Sequence, residues 1–285
     1  MKHMVASGVV ILLLVATVSL FFASTGVKNN TLTVSFLDVG QGDAIYIESP
    51  TGVQVLVDGG KDAVVLSRIS RVMPWHDRSL DMIIGTHPDG DHVSGLVHIL
   101  RRFFVEEIMY SELSHNAPGA EAFDVEIAKI KKMGREIHHP VSGDVYALGG
   151  GAYLRIFFPY SEGVQVTDTN DSSAVIQIIY GDVQFLLTGD APQYVEDALV
   201  YRFGKQLQST VLKLGHHGSR TSSSELFLKT VSPKHSIISR GCDNTYGHPH
   251  AEVISLLNEN LYDYLDTCIE GTITFSTDGV TLSRE

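Results

Sequence analysis

The sequence predicts an α/β fold in which helices cover hairpin-rich β-sheets and two similar halves form one domain. From Thr31 onward, short apolar runs of strand length alternate with longer segments of helical periodicity. Hairpins followed by helix–strand units occur twice, in residues 31–140 and in residues 150–285. No low-complexity linker separates the halves, and Gly149-Gly150-Gly151 is the nearest equivalent of a joint. We therefore expect a layered sandwich whose polar strand-end loops meet along one edge.

The strands are predicted from short runs rich in Val, Ile, Leu and Phe that end near Gly, Asp or Ser. Gly181-Asp182, between two such runs, predicts a tight hairpin turn. The predicted strands are Leu32–Leu37, Ala44–Glu48, Gln54–Val57, Met82–Gly85, Ile108–Tyr110, Tyr153–Phe158, Ala174–Tyr180, Val183–Thr188, Val211–Leu214, Ser236–Ser239, Thr272–Ser276 and Val280–Ser283.

The helices are predicted from longer segments that lie between the apolar runs. Two of them begin at residues that favour a helix N-terminus, Ser222 and Pro249. The predicted helices are Ala63–Val72, His92–Phe103, Glu121–Met133, Ala191–Phe203, Ser222–Val231 and Pro249–Asn260.

Residues 1–30 differ in composition from the rest of the chain. Lys2 precedes an apolar run from Met4 to Ala23, and roughly 20 helical residues can span a hydrocarbon core of about 30 Å. The small residues Ala23-Ser24-Thr25-Gly26 leave open a cleavable secretory signal. The length of the run favours an uncleaved membrane anchor. Both interpretations predict that residues 31–285 form the folded domain and are exported, as a membrane-anchored or a secreted protein.

The charge balance is acidic and argues against one class of partner. Without residues 1–30, which hold Lys2 and Lys28 and no acidic residue, 19 basic residues face 33 acidic ones, a net charge of about −14. No basic tract supports broad electrostatic capture of nucleic acid. Bound cations would still allow an acidic enzyme to process a polyanion. The charge therefore counts more against a DNA-binding module than against a metal-dependent nuclease.

The chain contains two cysteines, Cys242 and Cys268. In an exported protein they can form a disulfide, but two unrelated small core residues fit the sequence equally well. Neither cysteine has the spacing of a zinc thiolate site.

A metal-binding loop is predicted at the C-terminal end of the strand Met82–Gly85. His87, Asp89, Asp91 and His92 place two imidazoles and two carboxylates within six residues. Imidazole and carboxylate together suit divalent first-row metals, including Zn²⁺, Mn²⁺ and iron. Pro88-Asp89-Gly90 is also an ordinary turn signal, but a solvated turn does not need so dense a set of ligand-type side chains.

Four further loops carry Asp or His directly after an apolar run, which is where α/β proteins place their chemistry. Five such loops at one end of successive strands are difficult to obtain by chance. The four additional loops contain Asp58, Asp190, the pair His216-His217, and His248 with its neighbour His250.

These motifs resemble those of the metallo-β-lactamase superfamily, which implies a four-layer αββα sandwich. The superfamily motif His-x-His-x-Asp-His corresponds here to His87-x-Asp89-x-Asp91-His92, with Asp89 in place of the second histidine. That substitution is similar to the extracytoplasmic hydrolase domain of the ComEC/Rec2 competence proteins. Because one apolar segment replaces their multi-pass channel, we expect a stand-alone relative. Further similar stretches are Leu37–Ala44, Asn170–Ser173, Leu186–Asp190, His216–Ser219 and Tyr246–Pro249.

The resemblance implies two divalent metal ions and a role for each motif residue. His87 and Asp89 would hold one ion, Asp91 and His92 the other, and Asp190 would bridge them. We choose His216 as the remaining ligand, with His217 close behind it. The expected catalytic residues are Asp91, His217 and His248, with His217 or His248 giving a proton to the leaving group. Residues expected to support the ligands or the substrate are Asp58, Asp43, Asn170 and Ser219.

The ligand set is richer in oxygen than that of most relatives, because Asp89 and Asn170 stand where histidines are usual. Oxygen-rich sites favour Mn²⁺ relative to Zn²⁺, and we keep both metals as candidates. Ser219 and the serines at 222–224 could bind phosphate oxygens, although helix capping explains the serine run at least as well.

The leading functional hypothesis is an extracytoplasmic phosphodiesterase that degrades DNA with two metal ions and a water that they activate. Nucleic acid would be its substrate, the membrane would be reached through residues 1–30, and proteins of DNA uptake are candidate partners. Two alternatives stay open. One is a small-molecule metallohydrolase acting on a phosphoester, thioester or lactone, and the other is a non-catalytic, membrane-tethered assembly subunit. The oligomeric state is not predicted.

Overall fold

Two seven-stranded β-sheets stand at the centre of the structure. The computed structural model describes residues 30–110, 120–161 and 168–285. The predicted N-terminal anchor or signal lies outside these ranges, apart from Asn30. Within the described ranges, every helix is too short or too polar to cross a membrane.

The first sheet has the strand order β14-β13-β1-β2-β3-β4-β5. Its strands pair antiparallel from β14 to β3 and parallel from β3 to β5. Their bounds are β1 Leu32–Phe36, β2 Ile45–Glu48, β3 Gln54–Val57, β4 Ser79–Gly85, β5 Phe104–Tyr110, β13 Ile273–Thr277 and β14 Leu282–Arg284.

The second sheet has the order β12-β11-β10-β9-β8-β7-β6. It is antiparallel from β6 to β9 and parallel from β9 to β12. Gly181 and Asp182 form the predicted two-residue turn, since Tyr180 pairs with Val183. The strand bounds are β6 Val145–Gly149, β7 Ala152–Phe158, β8 Val175–Tyr180, β9 Val183–Leu187, β10 Val211–Lys213, β11 His235–Ile238 and β12 Tyr264–Asp266.

Helices cover the outer face of each sheet. Side chains alternate along the strands, so that Ile45 and Ile47 pack between the sheets and Tyr46 packs against helices. Each sheet has its own outer apolar cluster, which makes four layers in the order αββα. The helices are α1 Val64–Val72, α2 Gly90–Leu100, α3 Glu121–Lys132, α4 Gln193–Phe203, α5 Glu225–Val231, α6 Ala251–Glu259 and α7 Thr267–Glu270.

The predicted sandwich is confirmed, but the division into halves was wrong at both ends of the second half. The second sheet already begins at Val145, and the three glycines at 149–151 form the β6–β7 hairpin turn, not a joint. Moreover, β13 leaves the second half and pairs with β1, where Phe36 faces Ile273. The short strands β6 and β12 and the short helix α7 were not predicted.

Parallel pairing brings the C-terminal ends of β3 and β4, and those of β9, β10 and β11, to common sheet edges. The loops that follow these strands also hydrogen bond across the two halves, since the Ala174 amide donates to the Thr86 carbonyl over 2.9 Å. Helix α2 also packs closely against the loop that follows β3. A Cβ atom on Gly95 of this helix would lie 1.8 Å from the Gly59 carbonyl oxygen of the loop. The five predicted loops therefore meet at one edge of the sandwich.

Candidate metal centre

Asp58 connects the loops of the first half through hydrogen bonds to Thr86 and His92. It follows β3 with a left-handed backbone at φ 57° and is almost fully buried. Its carboxylate accepts hydrogen bonds from the Thr86 amide over 2.8 Å and from the Thr86 hydroxyl over 2.7 Å. It also lies 2.8 Å from Nδ1 of His92. A carboxylate in this position fixes both the rotamer and the tautomer of that imidazole.

The same carboxylate sets the tautomer of His87 through Thr86. The only hydroxyl proton of Thr86 is given to Asp58, so its oxygen must accept from Nδ1 of His87, 3.0 Å away. Both imidazoles are fully buried, and both direct Nε2 towards Asp190. Nε2 of His92 lies 3.3 Å and Nε2 of His87 lies 4.0 Å from Asp190 carboxylate oxygens.

His217 contributes the corresponding imidazole from the second half. Its backbone is left-handed at φ 56°, and its Nδ1 donates to the Ser239 carbonyl over 2.8 Å. Nε2 is therefore left without a proton in the neutral ring. It lies 3.4 Å from Asp190 and 3.5 Å from Asp91, counted to the nearest carboxylate oxygen. Backbone strain of this kind is usually retained at functional sites.

Asp190 stands at the centre of the histidines. Its loop follows β9, and its amide donates to the Ser173 hydroxyl over 3.1 Å. Although burial favours the neutral acid, His217 and His92 hold the pKa of this carboxyl well below its usual range. A buried carboxylate that stays ionised among imidazoles is suited to bridging or binding cations.

The cluster lowers the pKa of one imidazole and raises the pKa of two others. Burial, with His92 beside it, lowers the pKa of His87 to about 3. Burial also lowers the pKa of His92, but the carboxylates of Asp190 and Asp58 outweigh it and raise the pKa. For His217, Asp190 and two further carboxylates outweigh burial and raise the pKa to about 9. Protons on His92 and His217 thus balance the negative cluster, and a bound cation would replace them.

The pattern of unpaired atoms fits a metal. Among the described residues, six buried atoms of this cluster find no hydrogen-bond partner, namely Nε2 of His87, His92 and His217 and Oδ1 of Asp43, Asp89 and Asp190. Buried polar atoms are normally satisfied, so such a cluster fits a cation-binding site. Asp43, His92, Asp190 and His217 each offer one ligand atom within 4.8 Å of the others. Nitrogen and oxygen donors of this type suit divalent transition metals.

The remaining predicted residues lie around this core. Asp89, before α2, places a carboxylate oxygen 3.8 Å from Nε2 of His87, and burial raises its pKa. Asp91 is partly exposed, and His217 and His92 lower its pKa although burial opposes this. His216 is also partly exposed, with Nε2 3.7 Å from Asp190. The side-chain oxygen of Asn170 is buried without a partner among the described residues.

Three of the four serines have hydroxyl partners within the fold, whereas the Ser223 hydroxyl is buried without one among the described residues. The Ser219 hydroxyl lies 3.0 Å from the Thr221 hydroxyl, and the Ser222 hydroxyl donates to the Ala191 carbonyl over 2.8 Å. The Ser224 hydroxyl accepts from the Phe227 amide over 3.2 Å and caps α5. For Ser224 the structure therefore shows the capping role that the sequence left open.

Asp43 and Lys213 form a buried ion pair beside the cluster. The Lys213 ammonium lies 2.5 Å from Asp43 and 3.8 Å from Asp190, and both side chains of the closer pair are almost fully buried. Burial would raise the pKa of Asp43, but Lys213 and His217 lower it to about 2. Asp43 Oδ1 also lies 3.5 Å from Nδ1 of His217. Because the Nδ1 proton of His217 goes to the Ser239 carbonyl, Asp43 acts on this ring through its charge.

An open cleft of about 1000 Å³ adjoins the site. Asp89, Asp91 and Asn170 lie on one side of it, and a loop at 241–246 lies on another. Cys242 and Cys268 form a disulfide at the base of that loop. Among the described lining residues, five carry carboxylates and Lys61 alone carries a positive charge.

His248 connects this loop to the histidines of the candidate metal centre. Its ring centroid lies 5.2 Å from that of His216 and 6.1 Å from that of His217. Burial and the neighbouring histidines lower its pKa to about 4, so the ring is neutral at pH 7. The prediction of a proton donor rested on an ordinary imidazole pKa, which this environment does not provide without an added anion.

Sequence reasoning gave no role to Lys213 or Thr86. Lys213 interrupts the apolar run Val211–Leu214, and a lysine on a strand flanked by two others is a detectable signal. Thr86 precedes His87 in the sequence and carries no side chain typical of a metal ligand. Its relay function depends on three side chains from different loops and has no local signature.

The chain is similar in sequence to three larger proteins. ComE operon protein 3 of Bacillus subtilis is 29% identical over 264 residues, covering 85% of this chain and 32% of that protein. Recombination protein 2 of Haemophilus influenzae is 30% identical over 267 residues, covering 92% and 31% respectively. Competence protein ComA of Neisseria gonorrhoeae is 27% identical over 270 residues, covering 93% and 35%. The chain thus spans about a third of the length of these relatives.

Solved structures agree on the fold. Igni18, a metallo hydrolase from Ignicoccus hospitalis, superposes with a TM-score of 0.54 at 15% identity, covering 86% of this chain and 98% of that one. CmlA, a diiron β-hydroxylase from Streptomyces venezuelae, gives a TM-score of 0.52 at 13% identity, covering 82% and 52%. The sequence model of the metallo-β-lactamase superfamily matches residues 37–241. The resemblance inferred from the motifs is therefore confirmed, and this chain belongs to the metallo-β-lactamase superfamily.

Proposed function

We propose that this protein is a metal-dependent phosphodiesterase that cleaves nucleic acid. The observation that carries the proposal is the convergence of unpaired, buried atoms of His87, His92, Asp190 and His217 at the edge of an open cleft. Such a set suits a hydrolytic metal centre, and the competence proteins that the chain resembles favour DNA as the substrate.

Two divalent ions, Mn²⁺ or Zn²⁺, are the proposed cofactors. His87, Asp89, Asp91, His92 and Asp190 remain candidate ligands, and we now add His217 to them. Sequence reasoning placed His216 there and kept His217 for proton transfer. The buried, unpaired Nε2 of His217 is the better ligand atom, whereas the His216 side chain is partly exposed. When bound, the ions would polarise the phosphate and make a water molecule acidic enough to attack it.

The protein's own groups orient this chemistry. Asp58 and the Ser239 carbonyl keep a ring proton on Nδ1 of His92 and of His217, so that Nε2 is the atom of each ring that a cation would bind in place of a proton. The Lys213 ammonium, held by Asp43, places a fixed positive charge 3.8 Å from Asp190. His248 remains the proposed proton donor to the leaving group, because an anionic phosphate beside it would raise its low pKa.

We also propose that the enzyme works outside the cytoplasm and is held at the membrane by its N-terminal segment. Both rest on the apolar run from Met4 to Ala23 and on the similarity to competence proteins. Proteins of DNA uptake are the proposed partners on the same grounds.

The test is a nuclease assay on the purified full chain, first stripped with EDTA and then reloaded with Mn²⁺ or Zn²⁺. We expect cleavage of DNA only after reloading. His87→Ala and Asp190→Ala should each abolish cleavage, since each removes a ligand. His76→Ala is the matched control, because His76 is exposed and precedes the opposite end of β4. Full activity of Asp190→Ala would refute the proposed site.

A small-molecule metallohydrolase is the second candidate, favoured by the acidic lining of the cleft. Five carboxylates repel a polyanion unless metals compensate for them. Turnover of a lactone, thioester or phosphomonoester by a preparation that cleaves no nucleic acid would establish this alternative. A preparation that folds but binds no stoichiometric metal would favour the assembly subunit.

A further inference from the structure

Tyr246 is an exposed aromatic residue on the wall of the cleft beside the metal centre. Its side chain is 64% exposed, and it lines the cleft. Its ring is nearly parallel to that of His248, with centroids 5.7 Å apart and an angle of 24° between the planes. Since His248 in turn contacts His217, two ring contacts connect Tyr246 to a proposed metal ligand.

The loop that carries Tyr246 is held in place by its own hydrogen bonds. The Asn244 amide donates to the Gly241 and His248 carbonyls, each over 2.8 Å, and Asn244 Oδ1 accepts from the His248 amide over 2.9 Å. The disulfide between Cys242 and Cys268 anchors the same loop to α7. Tyr246 is therefore presented on a fixed support, and little conformational freedom would be lost when a ligand stacks on it.

The charges that line the cleft explain why an aromatic ring would contribute to substrate binding. The cleft offers one lysine and five carboxylates among its described lining residues, so the walls do not attract a phosphate backbone. Affinity beyond the metals must come from contacts with uncharged parts of the substrate. A flat aromatic ring supplies that contact to a nucleobase of any sequence.

We propose that Tyr246 stacks on an unpaired base and selects single-stranded nucleic acid as the substrate. This inference rests on the proposed phosphodiesterase function and specifies its substrate class. In a duplex the base faces are covered by neighbouring pairs, and only a frayed end could offer one. In a single strand, a base next to the cleaved phosphate can turn its face to Tyr246 while the phosphate lies at the metal centre.

The experiment compares three substrates with the metal-loaded full chain: a single-stranded DNA oligonucleotide, its duplex, and the same strand with abasic residues throughout. We expect Tyr246→Ala to raise KM for the single strand by about 5- to 150-fold with kcat nearly unchanged, which is the usual cost of losing one stacked base. Tyr246→Phe keeps the ring and should behave like the unmodified protein. Tyr201→Ala is the matched control, because Tyr201 on α4 is 96% exposed and is absent from the cleft lining.

The abasic strand separates stacking from a structural role. The unmodified protein and Tyr246→Ala should cleave it with equal KM, since neither can stack on it. In addition, 2-aminopurine in the single strand should lose fluorescence on binding to the unmodified protein and not to Tyr246→Ala. An unchanged KM of Tyr246→Ala on the single strand, or an equal loss on the abasic strand, overturns the stacking role while the phosphodiesterase stands. Absence of cleavage of every nucleic acid by the unmodified protein overturns the proposed function, and the inference with it.

Discussion

Asp58→Asn tests whether the second layer of hydrogen bonds sets the metal affinity. The carboxylate accepts three hydrogen bonds, from the Thr86 amide, the Thr86 hydroxyl and Nδ1 of His92, at 2.7–2.8 Å. Asparagine has the same shape but only one acceptor oxygen. If that oxygen stays on the Thr86 amide, the new NH₂ group faces His92 and forces the tautomer in which Nε2 carries the proton. The opposite rotamer directs the NH₂ group at the Thr86 amide, which is also a donor.

Either arrangement lowers the metal affinity without changing the volume of the side chain. Loss of a supporting carboxylate commonly costs 10- to 100-fold in metal affinity, or about 1.4–2.7 kcal/mol. We expect a loss of this size for Mn²⁺ and Zn²⁺, measured by calorimetry or chelator competition on the EDTA-stripped full chain. Circular dichroism should show an unchanged fold.

Asp81→Asn is the control for this experiment. Asp81 also accepts a backbone hydrogen bond, from the Gln54 amide over 2.7 Å, but it lies near the start of β4, away from the metal loops. Its replacement should leave the metal affinity unchanged. Equal affinities of Asp58→Asn and the unmodified protein would refute the argument, and so would an equal loss in both variants.

Three further predictions concern stability. Gly95→Ala should lower the free energy of unfolding by about 2–3 kcal/mol in urea titrations, because its Cβ would overlap the Gly59 carbonyl; a loss below 0.5 kcal/mol would contradict this. Lys213→Met should cost about 3–5 kcal/mol by leaving the Asp43 carboxylate unpaired, and adding Asp43→Asn should recover part of it; simple additivity would refute the coupling. Burial raises the pKa of Glu196 to about 7, so Glu196 favours folding below pH 4.5, and this contribution, about 3 kcal/mol, is lost as the pH rises towards 7. Glu196→Gln should therefore lose less stability than the unmodified protein between pH 4.5 and 7.5, and parallel pH profiles would contradict the assignment.

Much of the fold could be predicted because its signals are local. Runs such as Val183–Leu187 and the Gly181-Asp182 turn depend on neighbouring residues, so they were recognised. The pairing of β13 with β1 joins residues far apart in sequence, and no local pattern announces it. β12 was missed because its three residues lie beside a helix and carry only a short apolar signal.

The candidate site likewise contains some residues that the sequence could predict and others that it could not. The residues that cluster in motifs, such as His87 and Asp190, were identified because ligand-type side chains are conspicuous after apolar runs. The choice between His216 and His217 was not accessible, since adjacent residues have the same spacing to every motif. Their left-handed backbones, at φ 48° and 56°, decide which imidazole turns inward, and this is a property of the folded loop.

The return of β13 to the first sheet has a consequence for how the protein folds. Ser35 and Thr274, whose hydroxyls meet across this pairing, are separated by 239 residues. During synthesis β1 can pair with β2 early, but its other neighbour, β13, is made only when nearly the whole domain has been synthesised. Contacts of such long range slow folding and leave strand edges open to wrong partners in the meantime. The candidate metal centre combines loops that follow strands of both sheets, so it too depends on long-range contacts that form late in synthesis.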